Sequence, residues 1–420
     1  MTTIGDQNVL PGVAGDAQQK PTVTIHANVA AGTTGQWLPT PGQLRAGIPL
    51  GIRTATLVTD TRQAIIDILT GTDSRLLVVC GPCSLHDPNA ALDYAQRLRI
   101  IADQLSDDLL IVMRTYVEKP RTALGWRGMV ADPGLIGTGD LRNGLVLARA
   151  TLRGVLREGM PTATEFVDPA VAAYLQDTVC WGAIGARTVE SPTHRQLAAS
   201  LRLPIGFKNR LDGAVVPAIN AALTAATEDH ILALAASGSP TRQAAPGNPC
   251  PHLVLRGGES GPNYAPSIAA DAADQLRANG LPMLPVVDAA HGNSRKNPAQ
   301  QQVVLGELAD LIEDPAYPVA GVMIESNLVG GRQDVDLNRP HALTYGQSIT
   351  DACIVLDDTR PLLTRLARAC HARRRQRQAQ TRSLRSQTNR HEDLAAVAEL
   401  RQVPVVAGVG AAAVRSSCAR

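Results

Sequence analysis

Charged or metal-ligating residues follow the short apolar runs of this chain. The residues in question are Cys83, Arg114 with Lys119, Glu165, Arg187, Lys208, Arg256, His291 and Glu325. Such groups are costly at the edge of a buried sheet unless they are paired or used. One or two of them could be structural, but their recurrence predicts that the side chains together form an active site.

Six candidate residues are cations, namely Arg114, Lys119, Arg121, Arg187, Lys208 and Arg256. If their side chains converge without acidic partners they repel one another, so the site should hold a substrate with several negative charges. Arginine suits bidentate contacts with phosphate and carboxylate groups. Gly185, Gly257 and Gly258 would let backbone N–H groups approach phosphate oxygens. The set predicts a phosphorylated, polyanionic substrate.

A second set could bind a metal ion. It consists of Cys83, His291 and Glu325, with Asp351 in the segment YGQSITDACI. This mixture of sulfur, nitrogen and oxygen donors suits a first-row divalent ion (Mn, Fe, Co or Zn) without selecting among them. The ion would polarise a carbonyl group.

Each of these ligands has a simpler interpretation when it is taken alone. A single histidine after a strand is more often a hydrogen-bonding loop residue, and a single cysteine is more often a buried thiol. Cys80-Gly81-Pro82-Cys83 also has the spacing of a redox dithiol, although no tryptophan precedes it. The presence of all four ligand types at equivalent places favours the metal site.

Eight short apolar runs show little alternation, which is typical of strands buried on both faces. They span residues 76–79, 109–113, 163–167, 182–186, 204–207, 253–255, 284–287 and 321–324. Helix-length segments separate most of them, including 89–104, 141–157, 169–180 and 265–279. This alternation predicts an α/β fold, the (β/α)₈ TIM barrel, with a doubly wound open sheet as the alternative. In a barrel, the residues that follow the strands meet at one mouth.

The barrel should occupy residues 76–360, with segments of different composition on either side. We expect a flexible arm over 1–38 and an extension over 39–75 that packs on the barrel or on a partner subunit. An Arg-rich helix should cover 361–379 and a flexible tail 380–420. Residues 361–390 contain nine arginines and no acidic residue. A solvated basic tail is the simplest interpretation, with binding to an acidic surface or nucleic acid as the alternative.

The composition excludes several classes of protein. The net charge is only +2 over 420 residues, and two Phe, three Trp and six Tyr are few for base stacking. These counts argue against a nucleic-acid partner. No apolar run approaches the roughly 20 residues of a membrane-spanning helix. Without a signal-peptide pattern, and with seven scattered cysteines, the sequence predicts a reduced, cytoplasmic protein.

The motifs that carry these residues resemble those of the microbial type I 3-deoxy-D-arabino-heptulosonate 7-phosphate (DAHP) synthases. They include GPCSLHD (81–87), MRTYVEKPRTALGWRG (113–128), WGAIGARTVESPTHR (181–195), DAAHGNSRK (288–296) and GVMIESNLVGG (321–331). The resemblance covers residues 40 to about 377. It implies a TIM barrel that condenses phosphoenolpyruvate with erythrose 4-phosphate in the first step of the shikimate pathway. It also implies a homodimer or homotetramer and an aromatic amino acid as inhibitor.

The resemblance also assigns a role to each matching residue. Cys83, His291, Glu325 and Asp351 would bind one divalent metal ion per subunit, and Lys119 would act with Cys83 and His291 in catalysis. The phosphoenolpyruvate site would comprise Arg114, Glu165, Ala186, Arg187, Lys208 and Arg256. Within it, Arg187, Arg256 and the backbone of Ala186 would hold the phosphate, and Arg114 and Lys208 the carboxylate. Erythrose 4-phosphate would bind Lys119, Pro120, Arg121 and Thr122.

Residues 210–211 and 231–251, where this family binds its inhibitors, depart from the family pattern. A copy serving specialised metabolism without feedback inhibition is therefore an alternative. A related 3-deoxy-octulosonate 8-phosphate synthase is another, although the segments KPRT and GWRG argue against it.

Overall fold

The computed structural model of the chain describes residues 37–121, 125–137, 139–281, 283–336 and 342–400. Eight parallel strands form a closed barrel. They are β1 (Leu76–Gly81), β2 (Leu109–Arg114), β3 (Thr162–Glu165), β4 (Trp181–Ile184), β5 (Ile205–Lys208), β8 (Pro251–Leu255), β9 (Val286–Asp288) and β10 (Gly321–Asn327). The barrel closes where β10 pairs with β1, with Gly321 opposite Leu77 and Glu325 opposite Gly81. The expected α/β barrel is confirmed, and the eight apolar runs are its strands.

Helices follow the strands and cover the barrel. They are α3 (Pro88–Gln104), α4 (Leu141–Arg157), α5 (Pro169–Leu175), α6 (Pro192–Ser200), α7 (Val216–Ala226), α8 (Pro266–Ala278), α9 (Pro298–Ile312) and α10 (Leu356–Leu400). Several begin with a proline that an acidic or amide side chain precedes. Asp87, Asp168 and Asn297 accept hydrogen bonds from the first backbone N–H groups of α3, α5 and α9. These local signals explain why the helix starts could be read from the sequence.

The core has two parts because successive strand residues point to opposite faces. In β1, Leu76 and Val78 pack under the surrounding helices, whereas Leu77 and Val79 belong to a separate cluster inside the barrel. Two helices precede β1, α1 (Pro41–Gly47) and α2 (Ile52–Leu69). Ile65 of α2 joins the interior cluster, so α2 packs against the barrel.

The structure contains elements that were not expected and one helix that is shorter than expected. The antiparallel hairpin of β6 (Asp229–Leu234) and β7 (Pro240–Ala245) stands outside the barrel, between β5 and β8. The helix expected over 169–180 ends at Leu175 and continues as a 3₁₀ turn, Gln176–Thr178. Short strands β11 (Val329–Arg332), β12 (Gln347–Ser348) and β13 (Ile354–Val355) lie in the loop after β10. Neither the hairpin nor these short strands were expected from the sequence.

The C-terminal helix corrects the expected boundary between helix and tail at residues 379 and 380. Helix α10 begins at Leu356 and extends to Leu400, and Pro361 lies within it. No glycine or proline occurs from 362 to 400, and arginine, glutamine, leucine and alanine all favour helix. The rest of the expected tail, 401–420, and the expected arm up to residue 36 lie outside the described residues. Among the helices that the structure describes, none has the length and apolar character of a membrane span.

Arg149 of α4 connects three segments of the helical layer. Its guanidinium donates to the carbonyl of Ile48 (2.9 Å) and to that of Tyr174 (2.8 Å), and it forms a two-pronged ion pair with Asp177 (2.7 and 2.8 Å). Arg149 is buried, so its loss would leave a carboxylate and two carbonyl groups without their donor. It therefore stabilises the packing of α4 against the segments beside it.

We expect Arg149→Ala to lower the free energy of unfolding by about 3 kcal/mol, because it breaks a largely buried ion pair. Denaturant unfolding followed by circular dichroism measures the change. Arg97→Ala is the matched control, since it removes an exposed pair with Asp93 within α3 and should cost less than about 1 kcal/mol. Equal losses for the two variants would contradict the role given to Arg149.

Candidate active site

The structure brings the candidate residues to the mouth formed by the carboxyl ends of the strands. Arg114, Glu165 and Lys208 are the last residues of β2, β3 and β5. Cys83, Arg187, Arg256 and His291 follow β1, β4, β8 and β9, and Glu325 lies within β10. Asp351 arrives from the loop between β12 and β13. Their convergence results from the parallel topology, which turns every strand end towards the same side.

Three of the four expected metal ligands form a compact cluster. The sulfur of Cys83 and one carboxylate oxygen each from Glu325 and Asp351 lie within 4.8 Å of one another. The fourth, His291, lies beside them, with its Nε2 atom 3.7 Å from Oε1 of Glu325. Sulfur, imidazole nitrogen and two carboxylates make a donor set that fits a first-row divalent ion.

A buried carboxylate lies directly behind the ring of His291. The Nδ1 atom of His291 lies 2.9 Å from Oδ2 of Asp288, which leaves Nε2 directed at the cluster. His291 adopts a φ of 54°, a left-handed backbone conformation that is unusual for a residue other than glycine. A carboxylate behind an imidazole ligand is common at metal sites, because it fixes the tautomer and the orientation of the ring. Asp288 gives His291 the environment of a metal ligand.

Lysine side chains compensate the negative charge of this cluster. Nζ of Lys119 lies 3.2 Å from the sulfur of Cys83, and Nζ of Lys296 lies 3.2 Å from Oδ1 of Asp351. Burial raises the pKa of the Cys83 thiol and Glu325 adds to the effect, while Lys119 opposes it. Burial would also raise the pKa of Asp351, but Lys296, Lys119 and His291 outweigh it and lower that pKa. Two ammonium groups therefore already lie beside donor atoms of the cluster.

Three cations surround the ring of Tyr116. The guanidinium carbon of Arg114 lies 4.0 Å from the ring centre, and the Nζ atoms of Lys119 and Lys208 lie 5.7 Å from it. Cations so placed are attracted by the face of an aromatic ring. Tyr116 thus forms a shared wall between the metal cluster and the cationic part of the mouth.

Several of the cations at the mouth have acidic partners, which the sequence alone could not show. Arg114 is fully buried and pairs with Glu325 at 2.9 Å, and Lys208 lies 3.4 Å from Asp288 and 4.0 Å from Glu165. Burial would raise the pKa of Asp288, but His291 and Lys208 reverse the effect and hold it well below its usual range. Carboxylates must accompany these cations because a buried charge without a counter-charge is very costly.

Arg256 lies close to a second cation, Arg187. Burial lowers the pKa of Arg256, Asp288 opposes the shift, and the nearby charge of Arg187 adds to it. The Arg256 guanidinium donates to the carbonyl of Gly257 (3.1 Å). Gly257 has a φ of 68°, and a Cβ atom there would collide with the backbone of Asn293. Two repelling guanidinium groups beside a glycine turn are suited to binding a phosphate group.

The segment expected to bind the second substrate forms one wall of a cavity. Glu118, Lys119, Pro120 and Arg121 line this cavity, whose volume is about 820 Å³. The remaining expected residue, Thr122, lies outside the described residues. Burial raises the pKa of Glu118 to about 8, although its carboxylate accepts hydrogen bonds from the backbone N–H groups of Val167 and Asp168. Glu118 thereby joins the loops that follow β2 and β3.

Sequence reasoning missed Tyr116, Glu118, Asp288 and Lys296. All four lie within the quoted motifs, so proximity to a strand end was an available signal. Asp288 is the last residue of β9, three residues before His291. The two thiols of the CxxC segment, those of Cys80 and Cys83, lie in different parts of the structure. That of Cys80 lies 3.4 Å from the hydroxyl of Tyr94 in the helical layer, whereas Cys83 belongs to the mouth.

Comparison with known proteins identifies the family. The chain belongs to the DAHP synthetase I family, whose profile matches residues 50–364. It is 44% identical over 331 residues to the Tyr-sensitive phospho-2-dehydro-3-deoxyheptonate aldolase of Escherichia coli K12, covering 79% of this chain and 92% of the relative. It is 46% identical over 332 residues to the Trp-sensitive enzyme of Enterobacter agglomerans, covering 79% and 94%.

A solved structure agrees with this assignment. The phospho-2-dehydro-3-deoxyheptonate aldolase of Francisella tularensis SCHU S4 matches with a TM-score of 0.78 and 41% identity, over 82% of this chain and 99% of that one. The expected family and barrel are confirmed, and with them the expectation of a DAHP synthase.

We expect metal binding to tighten as the pH rises. The pKa of the Cys83 thiol is raised, so below that pKa an ion must displace its proton. One displaced proton corresponds to about a tenfold gain in apparent affinity per pH unit, a gain that ends above the pKa of the thiol. Competition with a chelator between about pH 6.5 and about pH 8.5 measures the slope.

Cys83→Ser is the control for this titration, since a serine hydroxyl keeps its proton far more strongly than a thiol. The Cys83→Ser protein should bind the ion more weakly than the unsubstituted protein does. A slope near zero in the unsubstituted protein would contradict a thiolate ligand.

Proposed function

We propose that this chain condenses phosphoenolpyruvate, erythrose 4-phosphate and water to DAHP and inorganic phosphate at the barrel mouth. The observation that carries the proposal is the cluster of Cys83, Glu325 and Asp351, with His291 beside it, next to the cations around Tyr116. Membership of the DAHP synthetase I family supports the same reaction.

Phosphoenolpyruvate binds across the cationic side of the mouth. Arg187, Arg256 and the backbone N–H of Ala186 hold its phosphate, and Arg114 and Lys208 hold its carboxylate. The repulsion between Arg187 and Arg256 supports this assignment, because a phosphate between them would relieve it. Glu165 lines the pocket, with its carboxylate 4.0 Å from Lys208 and against Gly185.

Erythrose 4-phosphate approaches from the cavity beside the loop after β2, which Pro120 and Arg121 line. Arg121 binds its phosphate, together with Thr122, which lies outside the described residues. Lys119 lies between this cavity and the cluster of ligands. Burial would lower the pKa of Lys119, but Cys83 and Glu325 outweigh it and raise that pKa above its ordinary value. Its ammonium group therefore holds a proton at neutral pH and donates it to the aldehyde oxygen.

Cys83, His291, Glu325 and Asp351 hold one divalent ion per subunit, of Mn, Fe, Co or Zn. When bound, the ion supplies Lewis-acid polarisation of the aldehyde carbonyl. Carbon 3 of phosphoenolpyruvate then attacks the aldehyde carbon, water adds at carbon 2, and phosphate leaves by cleavage of its C–O bond. No side chain serves as a nucleophile in this reaction. The residues of the mouth contribute mainly by holding both substrates in a reactive geometry and by placing charge.

We expect Cys83→Ala and His291→Ala each to lower kcat/KM by more than about a hundredfold. Loss of a residue that only hydrogen-bonds to a metal ligand can already lower activity by about 10- to 100-fold, and loss of the ligand itself should cost more. Consumption of phosphoenolpyruvate with erythrose 4-phosphate measures the rate, and circular dichroism checks the fold. Cys80→Ala is the matched control, because its thiol lies against Tyr94, and it should keep its activity.

Full activity after removal of metal with a chelator would overturn the metal assignment. Replacing erythrose 4-phosphate by a five-carbon aldose phosphate tests the alternative octulosonate synthase. Faster reaction with the longer aldehyde would favour that enzyme.

We also propose that an aromatic amino acid inhibits the enzyme by binding beside the hairpin of β6 and β7. A groove of about 280 Å³ runs between this hairpin, α5 and α6, and apolar side chains including Ala173, Leu197 and Ile231 line it. The two curated relatives described above are named Tyr-sensitive and Trp-sensitive. An apolar groove next to an inserted hairpin suits an aromatic side chain.

We expect one of Phe, Tyr and Trp to inhibit DAHP formation, and Ala173→Leu to raise the inhibitory concentration at least about tenfold by filling the groove. Initial rates at increasing amino acid measure the effect, and the uninhibited rate should be unchanged. Ala379→Leu, on the exposed face of α10, is the control. If none of the three inhibits, the enzyme is the alternative form that lacks aromatic feedback.

A homodimer or homotetramer would cover apolar side chains of the N-terminal extension. Trp37 is 74% exposed and Ile52 is 88% exposed in the single chain. The extension that carries these two side chains is the surface that we propose for contact with a second subunit.

A further inference from the structure

A second cationic cavity lies at the end of the barrel opposite the mouth. We name it the basal pocket, and its volume is about 370 Å³. Its lining residues include Ser74, which precedes β1, and Arg373, Arg374, Arg377, Thr381 and Arg382 of α10. Since Ser74 lies two residues before the first residue of β1, the pocket adjoins the amino ends of the strands. It is therefore separate from the site described above.

Two acidic side chains near the basal pocket already have cationic partners, and a third, Asp314, precedes the Pro315 that Arg377 contacts and accepts from the backbone N–H of Ala316. Asp108 pairs with Arg374 at 2.5 Å, and Asp73 pairs with Arg75 at 2.7 Å. In the described part of the chain, no carboxylate forms an ion pair with Arg373, Arg377 or Arg382. Three of the four arginines that line the pocket therefore form no ion pair with a described carboxylate.

The hydrogen bonds of these arginines leave that charge in place. Arg373 is only 4% exposed and donates to the carbonyl of Val319 (3.0 Å). Arg377 donates to the carbonyl of Pro315 (3.2 Å). Burial lowers the pKa of Arg377, and the charge of Arg373 adds to the shift. A carbonyl satisfies a donor but carries no net charge, so an anion in the pocket would stabilise this arrangement.

The chain itself is a poor source of that anion. Residues 1–36 contain only Asp6 and Asp16 as acidic residues, and 401–420 contain none. Glu392 and Asp393 lie on α10 itself, ten residues or more beyond Arg382. That separation corresponds to about 15 Å along a helix, so their backbone stays well away from the pocket. The arginines also lie beyond residue 364, where the family profile ends.

We propose that the basal pocket binds a small phosphorylated anion, such as a diphosphate or a phosphate monoester. Planar guanidinium groups match phosphate oxygens in pairs, and a phosphate group can carry two negative charges where a carboxylate carries one. The cavity volume lies in the range of small-ligand sites. This site would belong to the C-terminal part of the chain and is independent of the reaction at the mouth.

Titration calorimetry with inorganic pyrophosphate tests the proposal on the full chain. Pyrophosphate can also bind the phosphate sites of the mouth. The titration is therefore done on the Arg256→Ala protein, in which phosphate binding at the mouth is weakened and the basal pocket is intact. We expect saturable binding to remain there, and the further change Arg377→Ala with Arg382→Ala to weaken it at least about tenfold. In the Arg256→Ala protein, the rise in melting temperature caused by pyrophosphate should also become smaller when Arg377 and Arg382 are replaced.

Arg375→Ala is the matched control, because Arg375 is an exposed residue of the same helix that does not line the pocket. It removes the same net charge and should change the Kd by less than about twofold, as expected for a distant exposed charge. In the otherwise unsubstituted chain, the Arg377→Ala and Arg382→Ala changes should leave the rate of DAHP formation without pyrophosphate unaltered.

Three results would overturn the proposal. One is the absence of pyrophosphate binding to Arg256→Ala. Another is equal weakening by Arg375→Ala, which would show a general effect of charge. The third is displacement of pyrophosphate by a DNA duplex whose binding needs Arg375, since the helix would then bind nucleic acid along its outer face.

Discussion

The buried carboxylate of Asp288 holds the two halves of the barrel mouth together. One of its oxygens lies 2.9 Å from His291, which faces the metal-ligand cluster, and 3.4 Å from Lys208, which faces the proposed phosphoenolpyruvate site. Asp288 is fully buried, so its charge must be compensated by the groups around it, which include Lys208, Arg114 and the backbone N–H of Ala290. The same holds for Arg114 and Glu325. The orientation of the ligands and that of the cations are therefore consequences of one network of compensated buried charges.

This network depends on the closed parallel barrel. Paired strands place Glu325 of β10 opposite Gly81 of β1, only two residues before Cys83, and this register brings two expected ligands together. The side chains of α2, such as Ile65, pack with the interior residues of the barrel. Barrel folds divide these tasks, with stability supplied by one end and chemistry by the loops at the carboxyl ends of the strands. The loops here can carry many charged residues because the apolar core lies beneath them.

The sequence predicted those parts of the molecule that local patterns determine. Apolar runs without alternation marked the strands, and the residues that follow them, such as Cys83 and His291, indicated the mouth. The pairing of cations with carboxylates could not be read in this way, because Lys208 and Asp288 are far apart in sequence and meet only through closure of the barrel. Tyr116 was missed for a similar reason. Its ring is important because three cations from two strand ends face it, which only the assembled barrel shows.

The length of α10 illustrates a different limit of sequence reasoning. A high density of arginine suggested a solvated tail after residue 379, yet the absence of glycine and proline up to Leu400 permits a continuous helix. Composition describes how a segment interacts with water, whereas helix formation depends on backbone propensity and on the packing of one face. On α10 that face packs on the barrel through Leu363 and Leu366, and it carries the buried Arg373 with it. The arginine-rich segment thus has an ordered beginning, where charge is fixed in place. That ordering distinguishes the basal pocket from a surface that is merely basic.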